Sequence, residues 1–224
     1  MFLTLCGISS LPAEPIVEHP LWDSLTPDQQ QLLLDGKPVE TEENVIESPW
    51  PRFRIYSLVK ASPQDVASVF WNCELDAAYI PNCISVRILN RPEPSVHEAE
   101  YTLKMPFFLP DEVYTSRNSL KKIAPDSYEI SWKVLASIYT KFCTGNLRIE
   151  QHGEYTLIRY TNLVIPKSRI AGLLRSTAGT QVNESVHALV RQVSSELEKD
   201  PALLEHQRQE LEKSLLPPTG EASK

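Results

Sequence analysis

The chain has 224 residues and a hydrophobic content of 42%, enough for one domain with its own core plus extensions and short of what two ordinary domains use. Twenty-nine acidic side chains against 22 Lys and Arg give a formal net charge of -7 at pH 7. That balance excludes a general nucleic-acid binder, whose affinity comes from cations meeting phosphates, and disfavours standing attachment to an anionic membrane.

Residues 2–13 form a short apolar run ending in Leu-Pro-Ala, with no preceding Lys or Arg and broken by Gly7 and two serines. Residues 1–18 therefore read as a weak or truncated signal segment, which favours an exported or periplasmic location over a cytoplasmic one. No run approaches the ~18 apolar residues of a membrane span, so a soluble mature chain is expected. The four cysteines, Cys6, Cys73, Cys83 and Cys143, form no CxxC and no Cys/His cluster, and no metal or cofactor is expected. In an exported protein Cys73 and Cys83 could bridge a helix-to-strand connection; two unpaired, half-buried thiols is the preferred reading.

Residues 19–49 read as a helical extension and linker. Thr26-Pro27-Asp28-Gln29 starts a helix, Leu32, Leu33 and Leu34 give it an apolar face, and Asp35-Gly36 stops it. Trp22 and Leu25 are expected to staple it to the body. The acidic stretch 40–47 reads as a surface linker. Residues 52–61 then alternate, with Phe53, Ile55, Ser57 and Val59 opposed to Arg52, Arg54, Tyr56 and Leu58, the signature of a first strand. Ser62-Pro63-Gln64-Asp65 opens a short helix with Val66, Val69, Phe70 and Cys73 on its buried side, and 75–79 adds a second short turn before Pro81.

Strands are predicted over 83–90, 96–105, 112–122, 128–135, 140–151 and 155–165. In the second of these Ala99, Tyr101, Leu103 and Met105 share a face. Between the second and third, Phe107 and Phe108 sit in a loop bracketed by prolines, and two adjacent phenylalanines there either fold back on the core or rim an opening. The strongest pattern comes last: Val182, Val186, Leu189, Val190, Val193 and Leu197 recur at steps of three and four within 168–197, an amphipathic helix whose stripe must lie against the preceding strands. Gly172 and Gly179 fall in its first part. Asp200-Pro201 interrupts it, and a polar, heavily charged second helix and a disordered tail occupy 200–224.

This order of strand, helix pair, strand meander and long C-terminal helix resembles the START-like helix-grip superfamily, also called SRPBCC, over roughly residues 50–199. Several stretches carry the likeness: Ala61-Ser62-Pro63-Gln64-Asp65-Val66 with Phe70, Tyr79-Ile80-Pro81, Met105-Pro106-Phe107 followed by Tyr114-Thr115-Ser116-Arg117-Asn118, and Gly145-Asn146-Leu147-Arg148-Ile149 followed by Thr156-Leu157-Ile158-Arg159-Tyr160. The resemblance implies an α+β fold in which a curved antiparallel sheet of about seven strands wraps the C-terminal helix. It also implies a cavity for a lipid, sterol, quinone or similar molecule; the alternative is a core filled by side chains.

No phosphate loop, HExxH or nucleophile elbow is present, so no catalytic residue is assigned. His19, His97, His152, His187 and His206 are scattered and read as solvated side chains. Candidate cavity residues are the strand polars beside aromatics: Tyr101, Arg117, Trp132, Arg148, Tyr160 and Asn162, with Phe107, Phe108, Gly179 and Asn183 at the mouth. On the other strand phase, Arg117 and Arg148 point to solvent from the convex face and pair with glutamates. Lys167, Arg169 and Arg175 could touch a lipid headgroup, although a solvated helix end is the simpler reading. The expected function is binding or transport of a hydrophobic small molecule without catalysis, with transient membrane contact and no nucleic acid. The alternatives are an aromatase/cyclase-like enzyme acting on a polyketide-type substrate and a scaffold for a protein partner.

Overall fold

The computed structural model describes residues 20–46, 48–105, 109–168 and 175–217, with side chains omitted for 175–178. Each of the first two helices begins at a capping box. Thr26 Oγ1 accepts from Gln29 N at the head of α1 (Pro27–Leu34), while the Gln29 side chain accepts from Thr26 N. Ser62 and Asp65 repeat the device at α2 (Pro63–Trp71). Both helices place proline in the first turn, where its missing N–H costs no hydrogen bond.

Among the described residues eight antiparallel strands form one open, curved sheet: β1 (Val39–Glu43), β2 (Arg52–Val59), β3 (Cys83–Glu93), β4 (Val96–Leu103), β5 (Glu112–Ala124), β6 (Ser127–Ser137), β7 (Thr140–His152) and β8 (Tyr155–Pro166). Their spatial order is β1-β2-β8-β7-β6-β5-β4-β3, so the meander from β3 to β8 is closed off by β2 and β1 at the far edge. The helices α3 (Arg175–Lys199) and α4 (Pro201–Leu215) complete the fold. This is the α+β helix-grip arrangement expected from the sequence.

Register fixes which side chains share a face. Ile55 lies opposite Tyr160, Tyr160 opposite Leu147, Leu147 opposite Ile130, and Ile130 opposite Leu120, a single row across five strands. Because strand side chains alternate, every second residue from these joins the same concave surface. That surface meets Val66, Val69 and Trp71 of α2 and Val186, Leu189 and Val193 of α3, all in one buried core. The α3 members belong to the stripe visible in the sequence, and each fully buried aliphatic among them contributes about 1.5–3 kcal/mol. On the convex face a smaller cluster joins Leu21, Leu25 and Leu33 to Val39, Tyr56 and Leu157. The staple extends to Trp22, whose indole stacks on His152 with centroids 3.9 Å apart.

Two expectations are corrected. The acidic stretch read as a linker carries all of β1 but its first residue, and the strand pairs with β2 from Val39 opposite Tyr56 to Glu43 opposite Arg52. Its charge is answered by pairing, since Glu43 accepts from both Arg52 and Arg54. The terminal helix expected to be polar is a core element: Leu204, Gln207, Leu211 and Ser214 are buried along one side of α4. Leu204 and Leu211 join the main core, Trp71 Nε1 donates to Ser214 Oγ at 2.9 Å, and Arg208 Nε donates to Asp65 Oδ1 at 2.6 Å. Cys73, Cys83 and Cys143 are unpaired thiols. Among the described residues no helix is long and apolar enough to cross a membrane.

Candidate functional site

At one end of the concave face the aliphatic core gives way to aromatic and polar side chains. Tyr101 on β4 and Tyr114 on β5 are directly opposed, and their rings stack at 4.9 Å with an interplanar angle of 2°. Trp132 on β6 packs against Tyr160 on β8, centroids 5.0 Å apart, and against Phe70 of α2 at 5.9 Å. Its Nε1 donates to Asn162 Oδ1 at 3.2 Å, an oxygen that also accepts from Cys143 Sγ at 3.5 Å. Gly145 makes this indole position available, because it lies opposite both Trp132 and Asn162. A Cβ there would fall 2.3 Å from Trp132 Cζ2 and 2.4 Å from the Thr161 carbonyl oxygen.

The 3-10 turn Cys73–Ala78, directly after α2, brings a carboxyl to this aromatic wall. Tyr79 Oη donates to Asp76 Oδ1 at 2.8 Å. Protein surrounds Asp76, although the residue keeps some accessible surface. Burial pushes its pKa up to about 7, with the Tyr79 hydrogen bond pulling the other way. Burial also pushes the phenols of Tyr79, Tyr101 and Tyr114 well above their ordinary range, and the Asp76 charge adds to each shift. The Cys73 and Cys143 thiols are pushed up to about 12, chiefly by burial. They are inert protonated thiols at neutral pH, unlike activated nucleophiles. The hydroxyls of Tyr114 and Tyr160 meet no protein partner among the described residues, and neither is among the sealed polar atoms that lack one, so each keeps accessible surface.

His97 is a correction to the reading of solvated histidines. It is 1% exposed, set against Trp71 at 4.2 Å, with Nε2 between Asn118 Nδ2 at 2.9 Å and Cys73 Sγ at 3.4 Å. Burial lowers its pKa to about 4, so it is a neutral wall residue. The sequence also missed Asp76, Tyr79 and Cys143. The period-2 pattern of β5 would have added Tyr114, which shares its face with Ser116, Asn118 and Leu120.

Of the sequence-selected cavity residues, Tyr101, Trp132, Tyr160 and Asn162 lie on the concave face. Arg117 and Arg148 do not. Arg117 is exposed on the convex face and donates through Nε and Nη2 to Glu98. Arg148 is buried on that face beneath the N-terminal extension, where its Nε donates to Glu150 Oε1 at 2.9 Å while Glu150 Oε2 accepts from Leu21 N at 2.8 Å. Each side chain has the opposite strand phase to its neighbours Asn118 and Leu147. Gly179 and Asn183 line a cleft of about 710 Å³ between the β1–β2 edge and α3, shared with Glu40, Phe53 and Arg54. Gly179 sits over the Phe53 ring, and Asn183 Nδ2 donates to Glu40 Oε1. Phe107, Phe108, Gly172 and Arg169 lie outside the described residues, as does the Arg175 side chain. Lys167 Nζ donates to the Ser137 carbonyl at 2.6 Å.

No family model and no curated protein matches this sequence. Solved structures do match in shape. A STAR-related lipid transfer protein fragment from Xanthomonas axonopodis superposes with a TM-score of 0.63 at 13% identity, covering 70% of this chain and 93% of that one. Human STARD10 gives 0.63 at 12% identity over 92% and 93% of the two chains. The Zhui aromatase/cyclase from Streptomyces sp. R1128 gives 0.57 at 14% identity over 65% and 94%. These likenesses establish a START-like helix-grip fold.

Proposed function

We propose that this protein binds or carries a hydrophobic small molecule in the space between the concave sheet face and the C-terminal helices. The observation that carries the reading is the pair of unpartnered hydroxyls on Tyr114 and Tyr160. A hydroxyl enclosed by protein without a partner costs roughly 1–3 kcal/mol; one that faces a cavity is satisfied by water or by a ligand. Apolar walls with a few convergent polar groups are the usual composition of such sites. The shape likeness to a STAR-related lipid transfer protein is consistent with this reading. Transient membrane contact belongs to it too, since Leu135, Ile138 and Phe142 are exposed around the turn joining β6 and β7.

Native mass spectrometry after mild purification, followed by titration of the delipidated protein with N-phenyl-1-naphthylamine, tests the proposal. A co-purified small molecule or saturable probe fluorescence is expected. A protein that carries nothing and binds no apolar probe refutes it. An enzyme of the aromatase/cyclase kind is the second reading, favoured by Asp76, whose pKa of about 7 suits a general base. Recovery of the bound ligand unchanged after prolonged incubation separates carriage from turnover.

A further inference from the structure

The carboxyl of Asp76 is half satisfied. Tyr79 Oη occupies Oδ1, and Oδ2 has no protein donor among the described residues. That oxygen is not one of the sealed, partnerless atoms either, so it keeps accessible surface, as the Tyr114 and Tyr160 hydroxyls do. No Lys, Arg or His contributes to holding its charge. What surrounds it is uncharged: the phenols of Tyr101, Tyr114 and Tyr160 and the thiols of Cys73 and Cys83 all feel the Asp76 charge. A desolvated carboxylate without a cation is costly, and a donor supplied from within the cavity lowers that cost.

Taking the interior to be a ligand cavity, we infer that Asp76, oriented by Tyr79, anchors a hydrogen-bond donor at the buried end of an otherwise apolar ligand, either a hydroxyl or a protonated amine. The phenol and indole faces around it offer apolar contact to the adjoining hydrocarbon. A ligand that presents a carboxylate or phosphate at that end meets Asp76 with like charge and is rejected. Asp76 therefore sets both the orientation and the chemical class of the ligand.

The test uses the full chain loaded with N-phenyl-1-naphthylamine, displaced in turn by decan-1-ol, decylamine and methyl nonyl ether. The ether matches the alcohol in heavy atoms and has no donor. Wild-type protein is expected to take the alcohol or the amine about tenfold more tightly than the ether, since hydrogen bonds to charged groups are the stronger kind. The tighter of the two identifies a hydroxyl or an ammonium as the preferred donor. In Asp76→Asn the preference is expected to shrink to about twofold, because the charge is lost while the shape is kept.

A second measurement on wild-type protein guards against misfolding of the variant. The alcohol-to-ether preference should grow between roughly pH 5.5 and pH 8.5 as the carboxyl ionises. Neighbouring groups from the packed elements titrate outside that window: Tyr79, Tyr101, Tyr114 and Tyr160 are pushed up by burial, as are Cys73, Cys83 and Cys143, and His97 is pushed down. Glu196 on α3, which faces Tyr79, holds its Oε1 on the amides of Gln192 and Gln207. Equal binding of all three compounds, or a preference that survives in Asp76→Asn and stays flat with pH, overturns the anchor and leaves the cavity standing. Failure of the probe and every compound to bind overturns both.

Discussion

Replacing Asp76 with Asn should change how stability depends on pH in a direction fixed by its surroundings. The carboxyl titrates near 3.8 when free and near 7 in the fold, because burial disfavours its charge more than the Tyr79 hydrogen bond supports it. Between those values the folded chain holds a proton that the unfolded chain has released. The resulting stability is fully present below pH ~4 and is lost as pH rises through about 7, at ~1.4 kcal/mol per pH unit. Asn cannot ionise, so the stability of Asp76→Asn minus that of wild type should climb by a few kcal/mol across this interval and level off above it. His97 acts in the opposite sense: its pKa is lowered from 6.5 to about 4, and its contribution is lost as pH falls through that interval. His97 is common to both proteins and cancels in the difference. Urea unfolding followed by tryptophan fluorescence at roughly one-unit steps from pH 4.5 to 8.5 measures it. A difference that does not vary with pH would show that Asp76 ionises as freely in the fold as in the open chain.

Gly145→Ala should destabilise by about 1–3 kcal/mol as an overpacked contact. The Thr161 carbonyl cannot move aside, and the Trp132 indole must leave Asn162. Thermal unfolding should register about 2–4 °C for each kcal/mol, with a red-shifted tryptophan emission, and an unchanged midpoint would mean that the indole has another resting place. Leu211→Ala should cost ~2–5 kcal/mol in urea unfolding, as for any buried leucine. Loss of less than ~0.5 kcal/mol would show that α4 is the peripheral helix its composition suggests.

The fold was legible where periodicity was strong and lost where stability comes from partners distant in sequence. The α3 stripe needed only its own spacing, and the β2 alternation grouped Phe53, Ile55 and Val59 on one face, of which Ile55 and Val59 enter the main core. The sequence Val39-Glu40-Thr41-Glu42-Glu43 has a single large apolar residue, and nothing local marks it as a strand. What holds it is the β2 ladder together with Arg52 and Arg54 on Glu43. In α4 the buried row runs Leu204, Gln207, Leu211, Ser214, so half of a regular helical stripe is polar. Ser214 is buried to receive the Trp71 indole N–H, and that partner lies 143 residues away.

The site divides along the same line. Tyr101, Trp132, Tyr160 and Asn162 could be found because aromatic and amide groups on largely apolar strand faces have few other uses. Arg148 was misplaced because β7 is covered on both sides: Leu147 and Ile149 face the core while Arg148 is buried under the N-terminal extension, so burial alone gives no strand phase; Arg117 on β5 took the convex phase, where Glu98 pairs with it. Asp76 was invisible for a different reason. Glu74-Leu75-Asp76-Ala77-Ala78 reads as a solvated turn, and only the way α2 delivers that turn against β3, with Tyr101 and Tyr114 of the next two strands within reach of the Asp76 charge, encloses one carboxylate and leaves Glu74 outside. On the proposed reading the strands supply the shape of the cavity and a short connection supplies its charge. Ligand class would then change through substitutions in residues 73–79 while the sheet that makes the fold stays as it is.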